Sequence, residues 1–298
     1  REEVNEGNSL TQSMSHFPRI FPPFYINMVR AGEASGTINL VLDRLADFQE
    51  GQQALKTKIR SALAYPIFMF FIGSGVLFFL VTFVVPNITN IFREMHQTLP
   101  GITVFLIVVS GFLKSLWWII ALILLAGIVG LRYAIRKTEQ GRHLWDRLKL
   151  NAPLLGGLNR KIAVARFSRT LGTLLQSSVP LLAALEIARN VVDNLIIADE
   201  IRRAAKEVEE GQSLSAPLSR NGFFPPIAVA MISVGEQSGN METMLFRVAD
   251  AYEKEVEANI LLVTSLLEPA MILVMGAVVG FIVVSILLPI FEMNQLIR

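Results

Sequence analysis

The chain has 298 residues, of which 52% are hydrophobic and only 17% charged, with a mean hydropathy of +0.50 and a formal net charge of +2. That composition belongs to a membrane protein, and so small a charge gives no reason to expect a nucleic-acid partner. Cysteine is absent, which excludes disulfides and thiolate metal sites, and the three histidines (His16, His96, His143) stand far apart in no ligand spacing.

The chain opens at Arg1 in a polar, Glu-rich stretch with no apolar signal-peptide core. Ile38, Val41, Leu42, Leu45 and Ala46 then fall on one face at helical spacing. Just before them, Gly32-Glu33-Ala34-Ser35-Gly36 punctuates two helices. Gly32 suits a helix C-terminus that needs a left-handed residue, and Ser35 or Thr37 can cap the next helix. Glu33 meets the wrong end of a helix dipole there. It is expected to reach across the corner to the free N–H groups of the following helix; the alternative is that it faces a partner protein.

Ile67–Val85 is an uncharged run of 19 residues bracketed by Pro66 and Pro86. At 1.5 Å per residue it covers roughly 28 Å, close to a bilayer's hydrocarbon thickness. Ile102–Leu113 is apolar but shorter, and reads as an interfacial or packed helix that Lys114 separates from a second span, Leu116–Leu131, anchored by Trp117 and Trp118. The basic run over 132–169 reads as the flank of that span, with anionic lipid headgroups as the alternative ligand. Amphipathic helices are expected over Arg160–Gln176, Leu181–Val191 and Asn194–Glu210, the last ending at Gly211, with Ser213 as a further N-cap. Met241, Met244, Leu245, Val248, Ala249 and Tyr252 mark another helical face. The third span is Ala270–Leu288, between Pro269 and Pro289, with Glu268 at its edge. Gly276 and Gly280 form a Gly-x-x-x-Gly that lets helix backbones approach closely.

Much of this is said twice. Phe21-Pro22-Pro23 returns as Phe224-Pro225-Pro226, Gly32-Glu33-x-Ser35-Gly36 as Gly235-Glu236-x-Ser238-Gly239, Pro66 as Pro269, and Pro86 as Pro289. The shift is 203 residues throughout, with 20 identities in the 75 positions of 21–95 laid over 224–298. Each copy runs from polar into apolar sequence, so each is a soluble element fused to a span. At a shift of 204, Val4–Leu10 aligns with Val208–Leu214. The second copy carries a helical stretch upstream of Val208 that the first lacks, so the first soluble domain is expected to be truncated at its N-terminus.

The expected fold is an all-α membrane protein: two homologous cytoplasmic helical bundles, of about six helices in the complete copy, and three transmembrane helices. The expected segments are 1–60 (rest of the first bundle), 61–86 (span), 87–115 (periplasmic loop with a short amphipathic helix), 116–133 (span), 134–265 (second bundle), 266–290 (span) and 291–298 (periplasmic tail). Lys56, Lys58 and Arg60 before the first span, and Arg132, Arg136, Lys137 and Arg142 after the second, put both bundles on the cytoplasmic side.

Walker, Rossmann, His-Glu-x-x-His and Gly-x-Ser-x-Gly patterns are all missing. No catalytic, cofactor-binding or metal residues are therefore assigned. The candidate site residues are the repeated corners Gly32, Glu33, Ser35, Gly36, Gly235, Glu236, Ser238 and Gly239. To these are added Gly276 and Gly280 for helix packing, and Glu268 at the membrane edge, where a structural role and a contact role both stand. A solute transporter is the competing class; it needs polar groups inside its spans, and Ile67–Val85 offers only Ser74 and Thr82.

The residues Ala165-Arg166-Phe167-Ser168-Arg169-Thr170-Leu171-Gly172-Thr173-Leu174-Leu175, Phe224-Pro225-Pro226, Val234-Gly235-Glu236-Gln237-Ser238-Gly239 and Leu267-Glu268-Pro269 resemble the F-type inner-membrane platform family of type II secretion. That family is related to the type IV pilus platform protein C. The ending Pro289–Ile297 looks like the secretion branch. The resemblance implies a non-enzymatic hub in the bacterial inner membrane, without cofactors, beneath a growing pseudopilus. It implies contacts with a cytoplasmic secretion ATPase, inner-membrane scaffold proteins, pseudopilins, the phospholipid membrane and further copies of the chain, and none with nucleic acid. A pilus platform is the alternative within the class.

Overall fold

A computed structural model describes residues 2–18, 20–87, 101–152 and 155–296. Those residues are all-helical, with no strand among them. In chain order the helices are α1 (Glu2–Asn5), α2 (Leu10–Ser15), α3 (Pro23–Ser35), α4 (Ile38–Phe79), α5 (Gly101–Lys137), α6 (Glu139–Asn151), α7 (Leu155–Gln176), α8 (Leu181–Val191), α9 (Leu195–Glu209), α10 (Ser215–Leu218), α11 (Pro226–Ser238) and α12 (Met241–Leu296). A π-helical turn, Leu80–Val84, extends α4.

The chain divides into two compact units: residues 1–58 with 135–259, and residues 59–134 with 260–298. The first unit holds both soluble copies around a single apolar cluster. Phe24, Met28, Val29, Val41 and Leu45 of the first copy join Phe167, Leu171, Leu185, Ile201, Phe224, Ile232, Leu245 and Val248 of the second. The helix ends of this unit follow local rules. Asn194 caps α9 by accepting from the N–H groups of Ile196 (3.0 Å) and Ile197 (3.3 Å). The buried Asp146 of α6 supports it, accepting from Leu195 N–H at 3.0 Å. Gly211 takes a left-handed φ of 92° after α9. Arg44 of the first copy donates to the Gln176 carbonyl (2.6 Å) and to Ser177 Oγ (2.9 Å), closing the C-terminus of α7.

The second unit is built from apolar helix. Among the described residues, three helices are long and apolar enough to cross a membrane, with candidate stretches Ile38–Asn87, Gly101–Ile119 and Met241–Leu288. They meet in a small cluster of Val81, Val85, Leu106 and Ile282. Two hydroxyls tie α5 to its neighbours. Thr103 Oγ1 donates to the Ser285 carbonyl at 2.7 Å, and Ser110 Oγ donates to the Val81 carbonyl. Val81 lies in the π turn, where the regular hydrogen-bond ladder is interrupted and a carbonyl is left for an outside donor.

Several boundaries differ from those expected, among them the helix expected from Arg160, which begins at Leu155. The helix that carries the first apolar run does not begin at Pro66: α4 runs from Ile38 through it without a break, and α12 likewise passes through Pro269. An interior proline removes one backbone hydrogen bond and crowds the carbonyl four residues back, a cost of about 3 kcal/mol that these helices of 42 and 56 residues carry without breaking. The short helix expected at Ile102–Leu113 is not separate from the second span; both lie in α5, a helix of 37 residues. Lys114 changes the solvent a residue prefers, but lysine is a good helix former and does not stop the backbone. The expected tail at 291–298 is helical as far as Leu296. Residues 88–100 of the expected loop, and the last two of the tail, lie outside the described residues.

Candidate functional site

The two Gly-Glu-x-Ser-Gly corners have the same construction. In the first, α3 ends at Gly36, whose φ of 71° is open to glycine at little cost. Thr37 N–H reaches back to the Gly32 carbonyl (2.8 Å) and Gly36 N–H to the Glu33 carbonyl (3.3 Å). In the second, Gly239 sits at φ 68° and Asn240 N–H reaches the Gly235 carbonyl at 3.0 Å. The left-handed residue is thus Gly36 or Gly239, and not Gly32 or Gly235 as the sequence reading had it.

Gly32 and Gly235 lie one turn earlier and serve the crossing of two helices. A Cβ on Gly32 would sit 2.9 Å from Val41 Cγ2, and one on Gly235 would sit 3.0 Å from the Cα of Met241. The serines also differ from expectation. Ser35 and Ser238 lie inside α3 and α11, and Ser35 Oγ donates back to the Ala31 carbonyl at 2.8 Å. The next helix begins at Thr37 and Asn240, whose carbonyls take its first bonds, from Val41 (3.1 Å) and Met244 (3.3 Å).

The glutamates do not reach the following helix; each turns back to an earlier one. The Glu33 carboxylate accepts from the N–H groups of Leu10 (2.6 Å) and Thr11 (3.2 Å), at the start of α2. The Glu236 carboxylate accepts from Leu214 N–H and from Ser215 N–H (3.1 Å), at the start of α10. Leu10 and Thr11 align with Leu214 and Ser215 at the shift of 204. Each repeat therefore carries one carboxylate clamp, in which a charge on one helix satisfies two orphan donors of another. This is the favourable end of the dipole, which the following helix shared with α2 and α10; sequence spacing could not choose between them. The nearby Thr11 hydroxyl, with the Thr11 and Leu10 amides, holds the Glu33 carboxyl below its ordinary range against the opposing effect of partial burial.

Ser213, expected as an N-cap, is one residue too early. Leu214 holds the cap position without a side-chain bond, and Ser213 Oγ pairs with Ser215 Oγ at 3.0 Å. Its counterpart Ser9 does cap α2, accepting from Gln12 N–H at 3.0 Å.

The membrane-side candidates belong to the second unit. Glu268 is exposed on α12. A Cβ at Gly276 or Gly280 would meet nothing within 4 Å, so the described residues of this chain pack no helix against either glycine. The close approach falls at Gly73, the repeat counterpart of Gly276, where a Cβ would lie 2.5 Å from Met275 Cε. Sequence reasoning also missed Arg169 of α7. It donates to both oxygens of Glu253 (Nε 3.0 Å, Nη2 2.7 Å) and to Asp250, and stacks 5.7 Å over Phe246. Burial works against its charge, but Glu253 and Asp250 more than offset that and raise its pKa.

The chain matches the family described as type II secretion system protein F over residues 1–86 and 167–289. It is 43% identical to the type II secretion system protein F of Pseudomonas aeruginosa, over 100% of this chain and 73% of the relative. It is 42% identical to the type IV pilus assembly protein PilC of Thermus thermophilus, over 98% of this chain and 72% of the relative. A type II secretion system protein F from Aeromonas hydrophila is 39% identical, over 100% and 76%. On these matches the chain belongs to the type II secretion system protein F family.

Proposed function

We propose that this chain is the inner-membrane platform of a type II protein secretion machine, a non-enzymatic hub that couples a cytoplasmic ATPase to assembly of a pseudopilus. The observation that carries the reading is the clamp built twice, each on helices whose neighbours continue into apolar helix. A platform must hold docking faces in fixed geometry while force passes through it. A carboxylate accepting two backbone amides does this by fixing one helix end against another, and calls for no catalytic group.

The fuller arrangement follows from the charge pattern. Lys56, Lys58 and Arg60 flank one span, and Arg132, Arg136 and Lys137 another, a pattern that supports a cytoplasmic side for both soluble copies. Residues 87–115 and 291–298 then belong to the periplasmic side. In this reading Glu33 and Glu236 act by shaping the corner, and the exposed faces around it meet the ATPase and the scaffold proteins. Gly276 and Gly280, open among the described residues, offer a packing face to a further copy or a pseudopilin span, with Glu268 at headgroup level.

A pilus platform is the second reading, favoured by the 42% identity to a PilC protein over nearly the whole chain. The test of the leading reading is co-purification of the full chain, in detergent, with the purified secretion ATPase of its host. A stable complex with that ATPase, and none with the pilus ATPase, supports the secretion platform. The reverse preference supports the pilus platform, and no complex with either contradicts both.

A further inference from the structure

The basic run over 132–169 is not one surface. Its later cations are engaged inside the soluble unit. Lys161 pairs with Glu255 at 2.8 Å, Arg166 with Asp193, and Arg169 with Glu253 and Asp250. Arg160 donates to the Leu150 carbonyl at 3.3 Å. Arg142 and Arg147 of α6 differ: both are exposed, and neither has an ion pair among the described residues.

α6 is also turned the wrong way for a helix on a water-soluble surface. Its inner side carries the buried Asp146 and Leu150. That side is fixed to its neighbours, since Asp146 accepts from Leu195 N–H at 3.0 Å and Asn159 donates to the Lys149 carbonyl at 3.2 Å. The opposite side should be polar, yet it carries Leu144 and Leu148, one turn apart and 63% and 56% exposed. The flanks of this apolar strip are cationic. Arg147 lies along one edge. Arg142 and Lys149 lie along the other, where Lys149 Nζ stands 5.7 Å from the Trp145 ring centroid and 3.6 Å from Asp146. Leucines outward, a tryptophan at their edge and cations on both flanks are the make-up of a helix that lies in an anionic bilayer surface.

Chain connectivity brings α6 to such a surface. α5 continues from Leu131, the last residue of the expected span, to Lys137, roughly 9 Å of helix. Only Thr138 separates it from α6, and Thr138 caps that helix by accepting from Gly141 N–H at 3.2 Å. The headgroup layer of a leaflet is about 5–8 Å deep, and a helix with its side chains is about 10 Å thick. A helix that starts there and runs along the surface therefore reaches the headgroups.

We infer that the outward face of α6 docks on anionic phospholipid. Leu144 and Leu148 enter the boundary between headgroups and acyl chains, and Arg142 and Arg147 extend to lipid phosphates. The docked helix holds the second soluble copy against the membrane at a point other than its span. The inference needs α5 to cross the membrane and is independent of the secretion and pilus readings.

The chain has no cysteine, so Leu148→Cys gives a single attachment point for a nitrobenzoxadiazole label, with Gln237→Cys on the exposed side of α11 as reference. The full chain is placed in nanodiscs of phosphatidylcholine with phosphatidylglycerol, or of phosphatidylcholine alone. In the anionic discs the Leu148→Cys label should be quenched by nitroxide-bearing lipid and shielded from aqueous iodide, and the Gln237→Cys label should show the reverse. Adding Arg142→Gln and Arg147→Gln should lower the ratio of docked to free helix about 25-fold, at about fivefold for each cation near an anionic surface. Discs of phosphatidylcholine alone should release the label in the same direction. Both arginines are exposed and unpaired, so the double variant should keep the helicity and melting midpoint of the unaltered chain. Equal iodide access at the two positions in anionic discs overturns the inference. Shielding from iodide without quenching by lipid also overturns it, because a protein, such as a second copy, then covers the strip. So does lipid quenching that is indifferent to both the lipid charge and the two arginines.

Discussion

Replacing Glu236 with alanine removes the acceptor from two amides at the start of α10, those of Leu214 and Ser215. Leu214 is 0% exposed and Ser215 is also buried, so water cannot freely replace the carboxylate. An unsatisfied buried donor costs about 1–3 kcal/mol, and bonds to a charged acceptor stand in the upper part of that range. Relaxation of the short helix α10 offsets part of the loss. The expected destabilisation is therefore about 2–4 kcal/mol. For a unit of this size (residues 1–58 with 135–259), each kcal/mol shifts the melting midpoint by about 2–4 °C. Glu236→Ala should then melt roughly 4–16 °C below the unaltered protein, with Glu236→Gln falling between because it keeps one acceptor oxygen. Circular dichroism or tryptophan fluorescence of the purified chain in detergent reads this directly. An unchanged midpoint for Glu236→Ala would mean that the two amides find equivalent partners elsewhere, and the clamp would not be what fixes the corner.

The first clamp adds a pH dependence. The Glu33 carboxyl is held below its ordinary value, so its stabilisation is present above the unfolded value of about 4.3 and is lost as pH falls through the lower folded value. The stability gap between the unaltered protein and Glu33→Gln should accordingly close below about pH 4; a gap that stays constant into that range would contradict the hydrogen-bonded carboxylate. Gly235→Ala should cost about 1–3 kcal/mol, since the new methyl meets backbone at Met241, whereas Gly276→Ala should leave the melting of the isolated chain unchanged. Ser110→Val strips the Val81 carbonyl of its donor within the apolar unit and should cost about 1 kcal/mol, measured as the shift in thermal aggregation midpoint.

The sequence made the repeats, the apolar helices and several helix ends legible, because those signals are local. α8 spans the expected Leu181–Val191, and α9 matches the expected 194–210 to within one residue at each end. What escaped was non-local. The partners of Glu33 and Glu236 lie more than 20 residues upstream, and only the 204-residue alignment of Leu10 with Leu214 hinted that those segments belonged with the corners. Gly32 was read by residue type, whereas its place depends on how closely α3 crosses Val41. Prolines and Lys114 were read as boundaries because hydropathy changes there, but backbone hydrogen bonding continues through them. Arg169 stood inside the most recognisable motif of the chain, and the repeat of Ala46-Asp47 as Ala249-Asp250 was the available clue to its role.

The most direct test of the platform reading is a deletion of this chain in its host, restored with the intact gene, with secreted proteins and surface pili both measured. The account predicts that secretion is lost while the ATPase and pseudopilins remain at normal levels, and that the intact gene restores it. Loss of pili with secretion intact would move the chain to the pilus machine. Unchanged secretion and piliation would contradict the platform role itself.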